Sequence, residues 1–217
     1  MKRVALVVIG AVAAGALLLS CGGGSSKQAS TIGPIASYTG RISNSDAFVA
    51  IVAGKQNVVA FVADGAHKTG IRFTGPRLGP GFDIALPFGA RLAGVISAKQ
   101  TAGALQLGTE PPRTFTATPT TGRAGLYGAV TNLGGSQVGL AWVVLNDGQQ
   151  RGVQIANGAV SDAPQLDSTS TTISVGGAST PVVRTTPGNT VGVGFGGGFQ
   201  GGGGQLGQGG GKFGFGG

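Results

Sequence analysis

The sequence predicts an all-β protein, an antiparallel barrel or sandwich of about ten short strands with a disordered Gly-rich C-terminal tail. Three observations lead there. Between residues 35 and 160, apolar stretches are broken by Gly, Pro, Asn and Asp clusters roughly every 8–12 residues, the rhythm of short strands and turns. Several stretches alternate apolar and polar residues, the period of a half-buried strand. Beyond the first 20 residues, nothing sustains the 3.6-residue apolar period of a helix.

The elements follow in order. Tyr38, Gly40 and Ile42 share one face of a first strand, with Thr39, Arg41 and Ser43 opposite. Ala47 to Ala53 and Val58 to Ala63 form a hairpin across the polar connection Gly54-Lys55-Gln56-Asn57. Both strands are apolar on both faces. One face must therefore meet a core, and the other a second sheet, a partner subunit or the trailing segment. Gly75-Pro76-Arg77-Leu78-Gly79-Pro80-Gly81 reads as a loop, because proline removes ladder donors and glycine loosens the backbone. Phe82, Ile84 and Leu86 then alternate with Asp83 and Ala85, and Leu92, Gly94 and Ile96 with Arg91, Ala93 and Val95. Leu105 and Leu107 continue the pattern, and Phe115 and Ala117 alternate with Thr114 and Thr116. The last strands are Ala124 to Thr131, Val138 to Leu145 and Gln150 to Ala156. Between the final two, Asp147-Gly148 suits a type I′ turn, which needs positive φ at both central positions. Trp142, the sole tryptophan, is expected in the core.

The flanks differ in composition. Lys2 and Arg3 precede an apolar run from Val4 to Leu19, the pattern of a secretory signal peptide. The run falls short of the about 20 apolar residues that a membrane span needs. Leu18-Leu19-Ser20-Cys21 resembles a bacterial lipoprotein lipobox. The resemblance implies that residues 1–20 are removed and that the Cys21 thiol carries a diacylglycerol. Two acyl chains would anchor the protein stably to the outer face of the cell membrane, or of the outer membrane in a Gram-negative cell. Residues 21–34 are rich in Gly and Ser and read as a tether reaching about 20 Å. Residues 161–191 form a Ser/Thr/Pro-rich extension, with Thr171 to Val175 and Pro181 to Arg184 as its only candidate strands. Residues 192–217 are mostly glycine with four phenylalanines, too little apolar surface to offset the entropy of ordering.

The chemistry is sparse. The formal charge is +8, yet the basic residues are spread singly, without the basic run and interleaved aromatics of a nucleic-acid binder. His67 is the only histidine, so a zinc site lacks ligands, and no metal or other cofactor is expected. His67 reads as a surface-loop residue and Asp64 as a turn-former. Gly192-Val-Gly194-Phe-Gly-Gly197 spells a dinucleotide fingerprint, but more glycine follows where a helix is required. Paired-carboxylate hydrolysis would have to draw on Asp46, Asp83 and Glu110, none of which lies in a motif.

A further likeness rests on Tyr38-Thr-Gly-Arg41, Asp46-Ala-Phe-Val-Ala-Ile-Val52, Val59-Ala-Phe-Val-Ala-Asp-Gly65, Ala124-Gly-Leu-Tyr127 and Ala141-Trp-Val-Val-Leu-Asn-Asp-Gly-Gln-Gln-Arg-Gly152. Together these resemble a β-rich domain of uncharacterised exported proteins from high-GC Gram-positive and related bacteria, over roughly residues 36–160. The resemblance implies an envelope setting and assigns no site residues. The expectation is a non-catalytic binding module held at a membrane by Cys21, with an envelope polymer or a protein as partner. A spacer lipoprotein touching wall polymer through its tail, and a hydrolase built on scattered acids, are the alternatives.

Overall fold

A computed structural model describes residues 33–64, 67–167 and 171–189. The segment expected to be a signal peptide, Cys21, most of the expected tether and the Gly-rich C-terminal residues lie outside the described residues. The rest is all-β, with fifteen strands and no helix among the described residues.

Eight consecutive strands close a barrel, each pairing antiparallel with the next: β1 (Ala36–Ile42), β2 (Phe48–Ala53), β3 (Asn57–Asp64), β4 (Thr69–Leu78), β5 (Gly81–Ala85), β6 (Arg91–Ile96), β7 (Thr101–Gln106) and β8 (Arg113–Pro119). Pairing of β8 with β1, with Ile42 opposite Phe115, completes the ring. The choice between barrel and sandwich is thus settled by a closed barrel, with a sheet packed outside it. Side chains fill the interior, among them Tyr38, Phe73, Phe82 and Phe115. Eight strands enclose only enough room for such a core.

One row of the ladder accounts for much of the filling. Phe82 pairs with Gly94, Gly94 with Gly103, and Gly103 with Phe115. A Cβ at Gly103 would come within 2.8 Å of the Phe115 ring and 2.0 Å of a backbone carbonyl. The two glycines therefore make room for the two rings on their flanks.

The barrel has a near end, where the chain arrives at Gly33 and the turns 54–57, 79–80 and 97–100 lie, and a far end carrying the other connections. Arg77 closes the near end. Its guanidinium donates to the carbonyls of Pro34 (3.1 Å), Gly54 (2.7 Å) and Gly79 (3.0 Å), and the side chain is buried. Beside it, Tyr38 donates to the Ser97 carbonyl at 2.8 Å. Burial pushes the Tyr38 phenol up, and the Arg77 cation pulls it partly back.

Here the structure corrects the sequence reading. Gly75, Pro76, Arg77 and Leu78 belong to β4, and only Gly79-Pro80 turn. Proline is tolerated because β4 meets β5 at Arg77 and Leu78 alone, so Pro76 has no β5 neighbour to which it owes a donor.

Outside the barrel lies a five-stranded sheet in the order β12 (Ala159–Asp162), β11 (Gln150–Ala156), β10 (Ser136–Val144), β9 (Gly125–Leu133), β15 (Val183–Thr185). Its inner face, including Leu126, Ala141, Val143 and Val153, packs on the outward side chains of β2 and β3, such as Phe48, Ala50 and Phe61. A second sheet is therefore what covers the doubly apolar strands. At the margin of this seam, the guanidiniums of Arg41 and Arg151 lie over the Phe48 ring, 4.7 and 5.3 Å from its centroid.

The outer face of the sheet is covered by the hairpin of β13 (Thr172–Val175) and β14 (Ala178–Pro181), whose Ile173 and Val175 pack with Leu140 and Trp142. Trp142 is buried as expected, and its indole donates to the Pro164 carbonyl at 2.9 Å. The extension beyond residue 160 thus supplies β13 and β14, and β15 joins the sheet through Val183 and Thr185 opposite Gly128 and Leu126.

The turn at Asp147-Gly148 is not type I′. Among its residues only Gly148 has positive φ (83°), and Leu145 accepts from Gly148 and donates to Gln149 across a three-residue loop. That is a type I turn followed by a glycine bulge. Asp147 has a better use for its side chain, accepting from the Gln149 amide at 2.9 Å. The double-positive geometry occurs instead at Asn157-Gly158, Gly134-Gly135 and Gly176-Gly177.

Candidate functional site

With its interior filled, the barrel offers a ligand only its surface. One concavity among the described residues lies on the outer layer, a groove of about 360 Å³ whose walls include Arg123, Tyr127, Gln150, Asp167, Val182 and Arg184.

Each wall is fixed by identifiable bonds. Arg184 stands on β15 opposite Tyr127 of β9. Its guanidinium donates to the carbonyls of Gly122 (3.0 Å) and Ala124, and to the Thr120 hydroxyl (3.4 Å). Gly125 permits this approach, since a Cβ there would fall 2.8 Å from the Arg184 Nε. The Tyr127 hydroxyl donates to the Arg123 carbonyl at 2.7 Å. The Gln150 amide both donates to and accepts from the Leu166 backbone, each bond at 3.0 Å, and so holds the return segment as one wall. Among the described residues, Arg123 makes one long bond, 3.4 Å to the Asp167 carbonyl. The groove thus sets two guanidiniums, one phenol ring and one carboxylate among apolar side chains such as Val144, Leu166 and Val182.

The second cluster is Asp64 with His67, at the far end of the barrel. Asp64 is wholly buried, and its carboxylate lies 2.8 Å from the His67 Nδ1. It also accepts from the His67 backbone N–H at 3.3 Å. Asp64 therefore shapes its turn, as the sequence suggested, and also orients the imidazole. The His67 side chain is 29 % exposed, between surface and core, where the sequence reading put it on the surface.

The remaining acids do not converge on a motif. Asp83 is paired with Arg91, whose hydrogen bond and charge hold the Asp83 carboxyl below its ordinary value. Glu110 lies 4.0 Å from Arg113, and the Asp46 carbonyl accepts from Arg151 at 3.2 Å. No group of three His, Cys, Asp or Glu side chains that could hold a metal ion occurs among the described residues. Cys21, the one site residue named from sequence, lies outside them.

Sequence reasoning missed the groove because Arg123 and Arg184 look like two more isolated cations. The available signal was the alternation Thr-Ile-Ser-Val at 172–175, which promised an additional layer able to bring Arg184 back against β9. Comparison with family models, curated proteins and solved structures finds no match to this chain.

Proposed function

We propose that the chain is a lipid-anchored cell-envelope protein, fastened through Cys21, whose outer β layer binds an anionic group of an envelope polymer without catalysing a reaction. The anchoring half rests on Leu18-Leu19-Ser20-Cys21 at the end of an apolar run. The binding half rests on one observation, the fixed groove with Arg123 on its rim and Arg184 in its wall. Arg184 directs its donors mainly to main-chain carbonyls, whereas among the described residues Arg123 makes one long bond and has donors left for a carboxylate or phosphate.

Two measurements test the proposal. Wild-type cells fed labelled palmitate should label this chain, and Cys21→Ala should abolish the label and leave uncleaved precursor. Purified full-length protein should sediment with isolated cell-wall polymer, and Arg123→Ala should weaken that retention about tenfold with an unchanged melting curve. Label on the Cys21→Ala protein defeats the anchor, and undiminished retention of Arg123→Ala defeats the groove.

A further inference from the structure

We infer that the near end of the barrel is a membrane-contacting face that rests on an anionic lipid surface; this depends on the anchoring proposed above for Cys21. The observations concern how that end is built. Leu78 pairs with Gly81 and Gly81 with Val95, so Leu78 and Val95 flank a residue with no side chain. They are the two most exposed large apolar residues described, at 58 % and 60 %, and Ile35 follows at 49 % on the segment entering β1. All three belong to the near end. Single exposed apolar residues are ordinary, but three at one end of a barrel need a reason.

Charge points the same way. Lys55 and Lys99 are exposed at the tips of two near-end turns. Segments 33–36, 54–57, 78–81, 95–100 and 119–121 contain no acidic residue. Asp147, on the outer-layer turn whose Asn146 bonds Thr118 and Thr121, is already paired with Arg41 at 3.2 Å. The far end is mixed in sign, with Asp46, Asp64 and Glu110 among its basic residues. Lysines beside exposed apolar side chains suit the interface of an anionic bilayer, where the chains dip below the headgroups and the ammoniums meet phosphates.

The tether supplies the third argument. The described chain begins at Gly33, held to this end through the bond from Arg77 to Pro34. Cys21 is only about twelve residues upstream, which spans at most about 40 Å and on average about 20 Å. A lipid on Cys21 thus keeps the near end within reach of the surface at high effective concentration.

The test uses the full lipidated protein in vesicles of phosphatidylcholine with phosphatidylglycerol, carrying a nitroxide on Val95→Cys or, at the far end, on Thr109→Cys. With Cys21 acylated, the introduced thiol is the only free one. The Val95 label should be open to oxygen and shielded from a water-soluble nickel chelate, and the Thr109 label the reverse. Lys55→Glu and Lys99→Glu should each lower the shielded population about fivefold at low salt. If the protein carries lipid and floats with the vesicles while both labels meet nickel equally, the inference falls and the anchor stands. If Val95 labels broaden one another, a second copy covers the patch and the inference is overturned. If no lipid is attached and nothing floats, both readings fail together.

Discussion

The barrel and the outer sheet solve the same register problem by different means. In the barrel, β8 returns to β1, and closure leaves no strand free to slide. Its connections are correspondingly varied, and most are longer than two residues. The outer layer is open, with β12 and β15 as its edges. Three of its four hairpins are cut tight, with paired positive φ at Gly134-Gly135, Asn157-Gly158 and Gly176-Gly177. Type I′ turns match the twist of the strands and fix which residues face each other. Where topology cannot hold the register, turn chemistry does.

The largest test attacks what joins the two regions. Val143→Asp would place an unpartnered carboxylate in the seam between β10 and the barrel and should cost on the order of 5 kcal/mol. Urea unfolding followed by Trp142 fluorescence and by far-ultraviolet circular dichroism should show loss of the single cooperative transition. Retention of both signals with an unchanged midpoint would mean that barrel and sheet are not one packed unit.

Next comes the dependence on turns. Gly135 has φ of 82° and open space where a Cβ would go, so Gly135→Val carries backbone strain and no clash. It should lower stability by about 2 kcal/mol. Gly148→Val, in a loop with a single positive φ, should cost about 1 kcal/mol. Equal urea midpoints for the two variants would remove the special standing of the double-positive turns.

Closure predicts the opposite tolerance in the barrel. Two glycines inserted between Ala98 and Lys99, at the exposed tip of the turn closed by Ser97 and Gln100, should cost only about 0.6 kcal/mol. A drop like that of Gly135→Val would show that barrel register also depends on its turns.

The smallest effect concerns the surface pair on adjacent barrel strands, Asp83 and Arg91. The Arg91 hydrogen bond lowers the Asp83 pKa from its ordinary 3.8. A lowered folded-state value means that the pair's contribution is present above the unfolded pKa and fades as pH falls through the folded one. Carbon-detected titration should find the Asp83 midpoint below 3.8, moving back towards it in Arg91→Ala. A midpoint unmoved by that substitution would leave the pair without a role in the barrel wall.

These contrasts also mark what the sequence could reveal. Alternation in β5 and β8 placed Phe82, Ile84 and Phe115 inward because a strand's period is two and each has one wet face. The doubly apolar β2 and β3 announced a covering layer, though not its identity. Barrel closure was invisible, since a strand alternates identically in a barrel or a sandwich. β4 was hidden by Pro76, whose cost depends on whether a neighbour needs its missing donor. Asp147-Gly148 offered the residues of a type I′ turn, and a local bond from Gln149 to Asp147 favoured another loop. Of the groove, Arg184 was out of sight because its place is set by pairing with Tyr127, 57 positions earlier in the chain.

Arg77 has a mechanical consequence. A pull applied to the N-terminal segment reaches the fold at Pro34, two residues before the start of β1 at Ala36. A strand gripped only by its ladder would then peel one rung at a time under low force. Here the same guanidinium also grips Gly54 in the β2–β3 turn and Gly79 in the β4–β5 turn. The load is therefore shared between two hairpins before the first rung of β1 has to yield, so Arg77 acts as a strain relief at the point where a cable enters its housing.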